Sequence, residues 1–264
     1  MHRRSFLQSA AGAALLPQTA PQAAAQQPAS NPAEKTRFYS FAYYSYRQGD
    51  QAARLHRFLT SQIPLFTRHM RACGVFTAVM APRTQTTLVI AGFSSFADVQ
   101  SSAAQIAADP DYQKAHEELE RGADPPFDSL DRSLLAATAF SPEIAPLPEK
   151  PKSARYFEMR IYHSPTSRQQ QILHERFAGP EIQVFHRSGI HPILYANTVF
   201  GAGMSNLTYF MPFATLADRE EAWSAFSADP GWIKARDESV ARGGQIVDTQ
   251  SISLWRATAF SPIQ

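Results

Sequence analysis

The chain has 264 residues, 44% of them hydrophobic and 18% charged, enough apolar material for one large or two small packed domains and too little net charge for a disordered chain. A single cysteine, Cys73, excludes an intrachain disulfide framework and any cluster that needs two thiolate ligands. The formal charge of +2 is the one hint of an acidic partner, and it resides in the first few residues.

Residues 1–25 open on Arg3-Arg4, continue through Phe6, Leu7 and an Ala-rich apolar run to Leu16, and end on Ala23-Ala24-Ala25. A basic start, a short apolar stretch and a small-residue cleavage site describe an export signal, and the paired arginines resemble the twin-arginine type. The run is too short to span a bilayer, which takes about 20 residues. Cleavage near Ala25 removes two arginines and no acid, so the remaining Lys and Arg equal the 23 Asp and Glu. A neutral mature protein has no electrostatic reason to seek nucleic acid, or a membrane once the signal is gone. The expected location is periplasmic or secreted. Residues 26–35, rich in Gln, Ala and Pro, are expected to form a disordered leader.

From residue 36 onward the chain contains its own pattern twice. Arg37-Phe-Tyr returns as Arg155-Tyr-Phe and Leu55-His56 as Leu173-His174, both 118 residues later. Ala108-Asp-Pro returns as Ala228-Asp-Pro and Ala136-Ala-Thr-Ala-Phe-Ser-Pro142 closely as Arg256-Ala-Thr-Ala-Phe-Ser-Pro262, both 120 residues later. Such order and spacing mark a tandem duplication, with a first domain over 36–142, a Pro-rich linker over 143–153 and a second domain over 154–262. Pro146, Pro148 and Pro151 make that linker stiff and extended.

The elements are clearest in the second copy. Tyr156–Tyr162 alternates, placing Phe157, Met159 and Ile161 on one side and Glu158, Arg160 and Tyr162 on the other, as a strand does. Thr166–Ser188 reads as helical with a break near Gly179-Pro180. Pro192–Phe200 and Leu207–Phe213 are apolar runs joined by Gly201-Ala-Gly203, which suits a hairpin. Ala217–Arg242 reads as one helix and Ile252–Trp255 as a last strand. The order is βαββαβ, the ferredoxin-like motif. Such a sheet carries helices on one face only, so the fold class is α+β: tandem ferredoxin-like repeats whose antiparallel sheets pack into one α/β barrel.

Phe157-Glu-Met-Arg-Ile-Tyr162, Arg187-Ser-Gly189, Ala228-Asp-Pro-Gly-Trp232 and Ala259-Phe-Ser-Pro262, in that order and spacing, resemble the NIPSNAP family of dimeric α/β-barrel proteins. The resemblance covers essentially all of 155–262 and extends more weakly over 37–142. It implies the barrel and leaves the activity open; related barrels include cofactor-free monooxygenases and haem enzymes. The first copy departs from the pattern, with Ser40 and Ala42 where Glu158 and Arg160 stand, and Tyr44 alone matching Tyr162.

If Phe157, Met159 and Ile161 support the helices, period two sends Glu158, Arg160 and Tyr162 into the space between the sheets. A carboxylate and a guanidinium there either pair with each other or hold an anion or carbonyl. Tyr44 and Tyr162 are aromatic filling or hydrogen-bond donors in the same space. His56 and His174, matched in the first helix of each copy, are packing residues or acid–base or axial-ligand candidates. His69, His116, His163, His186 and His191 show no metal-ligand spacing. There is no nucleophile elbow, no complete dinucleotide loop and no histidine beside Cys73 in sequence. Tyr112 and Trp232 are expected to pin the second helix of each copy to its sheet.

These residues point to a small organic molecule bound between the two sheets by Arg160, Glu158, Tyr162 and Tyr44, with no metal and no cofactor. Two alternatives stay open. One is a cofactor-free monooxygenase- or isomerase-like enzyme, in which Arg160 stabilises an enolate and Glu158 or a histidine moves the proton. The other is a haem protein, which needs a histidine aimed at a cavity. Oligomeric state is open as well, a homo-oligomer included. Mass spectrometry of the protein from its native host tests the export signal: a mature N-terminus near Gln26 in the periplasm is expected, and full-length cytoplasmic chain with export intact counts against it.

Overall fold

In the computed structural model, which describes residues 35–264 apart from 48, 145, 146 and 148, the first copy begins with β1, Phe38–Ser45, and continues through α1, Gln51–His69, and β2, Ala72–Met80. It is completed by β3, Thr86–Phe93, α2, Phe96–Ala108, α3, Pro110–Glu120, and β4, Ser129–Ala137. The second copy repeats the order with β5, Tyr156–His163, α4, Ser167–Arg176, a π-helical turn, Phe177–Glu181, and α5, Ile182–Arg187. It closes with β6, Leu194–Phe200, β7, Asn206–Phe213, α6, Leu216–Ala228, α7, Pro230–Gly243, and β8, Thr249–Ala257. The export signal expected at 1–25, and all but the last residue of the leader expected at 26–35, lie outside the described residues.

The single helix expected over 217–242 is two helices, and its first-copy counterpart is divided in the same way. The Asp-Pro pair makes the break. Asp229 Oδ1 accepts hydrogen bonds from the backbone N–H of Gly231 at 2.7 Å and Trp232 at 3.2 Å, and Asp109 does the same for Asp111 and Tyr112. Each aspartate ends one helix and caps the next, with proline at the first helical position where its missing N–H costs nothing. Trp232 packs on Phe226, 4.5 Å between ring centres, and under the Arg176 guanidinium, so it fastens helix to helix. The expected break in the first helix of the second copy is the π-helical turn, where Gly179 leaves helical geometry ahead of Pro180.

The eight strands form one closed antiparallel barrel in the order β1-β3-β2-β8-β5-β7-β6-β4. Each copy contributes four neighbouring strands, and the two sets join edge to edge, β2 with β8 and β4 with β6. Closure removes the unpaired edges that two separate sheets would leave. The helices lie outside. β1 and β5 stand on opposite sides of the ring.

The repeated Thr-Ala-Phe-Ser-Pro segments cross the junctions in a reciprocal manner. Thr138 N–H donates to Tyr195 O and Thr258 N–H donates to Val75 O, both at 2.9 Å. Ser141 Oγ accepts from Tyr195 N–H at 3.0 Å, and Ser261 Oγ accepts from Val75 N–H at 2.9 Å. Phe140 then packs on His174 of the second copy, and Phe260 on His56 of the first. Each copy therefore ends by fastening itself to the other.

Ser261 is buried and also donates to Ile263 O at 2.7 Å, so Ser261→Ala strands a buried N–H and a buried carbonyl. A loss of about 1–3 kcal/mol in urea unfolding at unchanged m-value is expected, and a smaller loss for the more exposed Ser141→Ala.

Candidate functional site

Strand alternation divides the barrel wall into an inner and an outer set. The inner set of β1 is Tyr39, Phe41 and Tyr43, and that of β5 is Phe157, Met159 and Ile161. Phe76, Phe157 and Phe210 meet ring to ring at 4.9–5.1 Å and fill part of the lumen. Toward the end marked by Ser45 and His163 the lumen opens into a cavity of about 590 Å³. Its depth is apolar, with Phe41, Leu135, Met159, Ile161 and Trp255 on the walls, and Arg83, Asp131, His163 and Thr208 are among its polar groups.

Within the cavity Tyr43 Oη donates to Met159 Sδ at 3.5 Å, reaching from β1 toward the opposite strand. The Tyr43 ring lies 6.0 Å from that of Trp255, whose Nε1–H donates to Ser253 Oγ at 2.8 Å. Burial raises the pKa of the Tyr43 phenol, which keeps it neutral and able to donate a hydrogen bond. At the mouth, Arg83 in the β2–β3 turn donates to Ser129 Oγ, and Gly203 O in the β6–β7 turn is bonded to His163 Nδ1 and Asn206 Nδ2.

Glu158, Arg160 and Tyr162 lie on the other face of β5, between the sheet and the second-copy helices, and not in the space between the sheets. The expectation gave the apolar side of β5 to the helices. Closing the ring reverses this, because the lumen is the space furthest from water and takes the apolar set. Glu158 is 0% exposed; it accepts from Arg160 Nε, Arg219 Nε and Trp223 Nε1. The Arg160 guanidinium sits 3.4 Å from the Trp223 ring centre and donates to Tyr162 Oη at 3.3 Å. Nearby, Arg176 Nε donates to Glu181 Oε2 at 2.7 Å, and burial raises the Glu181 pKa despite that partner. The hydroxyls of Tyr195 and Tyr209 are buried here without a partner among the described residues.

The first copy shows that the barrel does not require this polar layer. Where the second copy has Glu158, Arg160, Arg219 and Trp223, the first has Ser40, Ala42, Val99 and Ala103; Tyr195 and Tyr209 are matched by Val75 and Val89. Tyr44 is likewise outside the lumen, edge-on to Phe127 at 5.1 Å in the first-copy helix layer.

His56 Nε2 is 2.8 Å from Thr87 Oγ1 and His174 Nε2 is 2.9 Å from Asn197 Oδ1, each on the helix side of its strand. Neither lines the cavity; among the described residues His163 does. No group of three or more His, Cys, Asp or Glu gathers as a metal site among the described residues, and none of their helices is long and apolar enough to cross a membrane. Cys73 is buried, and burial pushes its thiol up to about 12.

The residues that line the cavity were missed because β5 was assigned the opposite facing. The duplication held a usable signal, since Tyr43 stands where the second copy has Ile161, and Trp255 where the first has Leu135.

Residues 157–262 match the NIPSNAP family model. No curated protein matches the chain. Among solved structures, a monooxygenase candidate from Fusobacterium nucleatum is 6% identical with a TM-score of 0.54 over 84% of this chain and 93% of its own. A monooxygenase candidate from Lactobacillus acidophilus is 9% identical with a TM-score of 0.51 over 84% and 94%. A NIPSNAP family protein from Agrobacterium tumefaciens is 20% identical with a TM-score of 0.39 over 46% of this chain and 100% of its own. At such identities the first two are alike in fold alone.

Burial lowers the pKa of both His56 and His174, the latter against the opposing effect of Asn197. Between the depressed folded values and the ordinary value near 6.5, the unfolded chain binds more protons, so stability falls as pH drops below about 6.5. Urea titrations at pH 7 and pH 5 should show a smaller loss for the double variant His56→Gln, His174→Gln than for the natural sequence.

Proposed function

We propose that this protein binds a small, largely apolar organic molecule in the open end of the barrel lumen. The cavity carries the proposal: its volume of about 590 Å³ falls within the roughly 300–1,000 Å³ of small-molecule sites, which pair apolar walls with a few polar groups. Large apolar side chains beside the two hairpin turns at its mouth support it, since Met80, Phe200 and Met204 are 60–65% exposed. Placed on opposite sides of the ring, they give an apolar molecule surface to meet on either side of the opening. On the twin-arginine-like N-terminus, we place that function in an exported protein.

Polar contacts in this reading come from Tyr43, Ser253 and the rim, while Arg160 and Glu158 brace the helix layer. A cofactor-free enzyme is the second reading, because Asp131 and His163 border the same cavity and are groups able to move a proton.

The neutral fluorescent probe N-phenyl-1-naphthylamine tests the site. The natural sequence should bind it, and Ser251→Trp at the exposed mouth should weaken binding at least about tenfold, a change of about 1.4 kcal/mol, with little change in Tm. Arg160→Ala should lower stability and leave probe affinity unaltered. Equal affinity in Ser251→Trp, or loss of binding in folded Arg160→Ala, overturns the assignment to the lumen.

A further inference from the structure

We infer that the open end of the barrel docks on a lipid surface, with the tips of its two hairpins seated among the headgroups and the mouth of the lumen facing the bilayer between them. The docking surface goes beyond the lumen site and does not require a ligand in it.

Both hairpins rise past their own ladders at the mouth. The last β2–β3 pair is Thr77↔Thr87 and the last β6–β7 pair is Ala196↔Thr208, so residues 79–85 and 199–205 stand beyond them. Met80 and Phe200 hold the same position 120 residues apart, and they are 64% and 65% exposed. Met204 adds to the second tip and Val79 to the first, both exposed. Single exposed apolar residues are ordinary, but a matched pair on opposite sides of an apolar opening marks an interaction surface.

Charge and shape identify the partner. Over residues 72–97 the one charged side chain is Arg83, at the first tip, and over residues 192–217 there is none. Asp131, which borders the cavity, is on β4 and on neither tip. Phosphate headgroups therefore meet no carboxylate on the tips and one guanidinium that attracts them. The balanced net charge supplies no long-range pull, so the contact is mainly apolar. A stable protein interface buries about 800 Å² on each side, whereas these tips are separate and flank an opening. Lipid is fluid and closes round each tip independently. Turn backbone must keep its hydrogen bonds to water, so the tips stop among the headgroups and do not enter the hydrocarbon.

A polarity-sensitive label tests this on the full chain. Cys73 is buried, with its thiol pushed up to about 12, so a cysteine introduced at the surface takes the label. On Met204→Cys, nitrobenzoxadiazole emission should rise and shift to the blue when vesicles of phosphatidylethanolamine and phosphatidylglycerol are added. The same label on Ile233→Cys, at an exposed position of α7, should not respond. Adding Met80→Ser and Phe200→Ser to Met204→Cys should raise the lipid concentration needed at least about tenfold, with thermal unfolding showing that the variant is folded. Residues 1–25 are present in every variant, so differences among them report the tips. No response from Met204→Cys, an equal response from Ile233→Cys, or no loss with the two serines overturns the docking surface. A response that grows with protein concentration and needs no vesicles assigns the tips to a second copy of the chain and overturns it equally. The lumen holds no probe in these measurements, so its own test stands apart from them.

Discussion

Closure of the eight strands into a single ring is the constraint on which the remaining features depend. A ring has an inside that no helix can reach, so every strand must give that side to residues that tolerate complete withdrawal from water or line a cavity. The outer side then faces helices, where long side chains can find partners on two elements. Charged groups that would be stranded in the lumen are satisfied in that outer layer. Glu158, with Arg160 beside it on β5 and Arg219 and Trp223 reaching down from α6, is the clearest case.

The ring closes at two junctions, and the duplicated tail segments secure both. Because Ser141 and Ser261 bond to matching backbone positions in the opposite copy, neither set of four strands completes its hydrogen bonding alone. The motif that most plainly betrays the duplication in sequence is thus the one that makes the copies interdependent. Hydrogen bonds and aromatic contacts at these crossings tie the end of each copy to a strand and a helix histidine of the other.

Two copies in one ring also provide an internal comparison. Positions where both copies agree, such as the Asp-Pro helix junctions and the tail serines, belong to the architecture. Positions where they diverge mark what one side has beyond it. The outer layer of the second copy is ionic and tyrosine-rich where the first is small and aliphatic, and burying such charges is at best weakly stabilising relative to apolar packing. The lumen diverges as well but stays mostly apolar, with Tyr43, Phe76 and Leu88 where the second copy has Ile161, Ala196 and Thr208, and Trp255 and Phe210 where the first has Leu135 and Ile90.

Much of the architecture was legible in the sequence because it rests on local signals and on repetition. Alternation in β5, the glycine-containing hairpin turn, the Gly179-Pro180 break and the matched motifs specify strands, helices and their order with little reference to the rest of the molecule. The Asp-Pro junction was equally local and was read as continuous helix, although an aspartate followed by proline both caps and starts one. What only the tertiary structure decided was which face of each strand lies inside. Alternation defines two sets of side chains but carries no sign; the sign depends on whether the sheet closes and on what the helices offer in return. Arg219 and Trp223 of α6, some sixty residues from β5 in sequence, turned Glu158, Arg160 and Tyr162 outward, and closure handed the lumen to Tyr43, Met159 and Trp255.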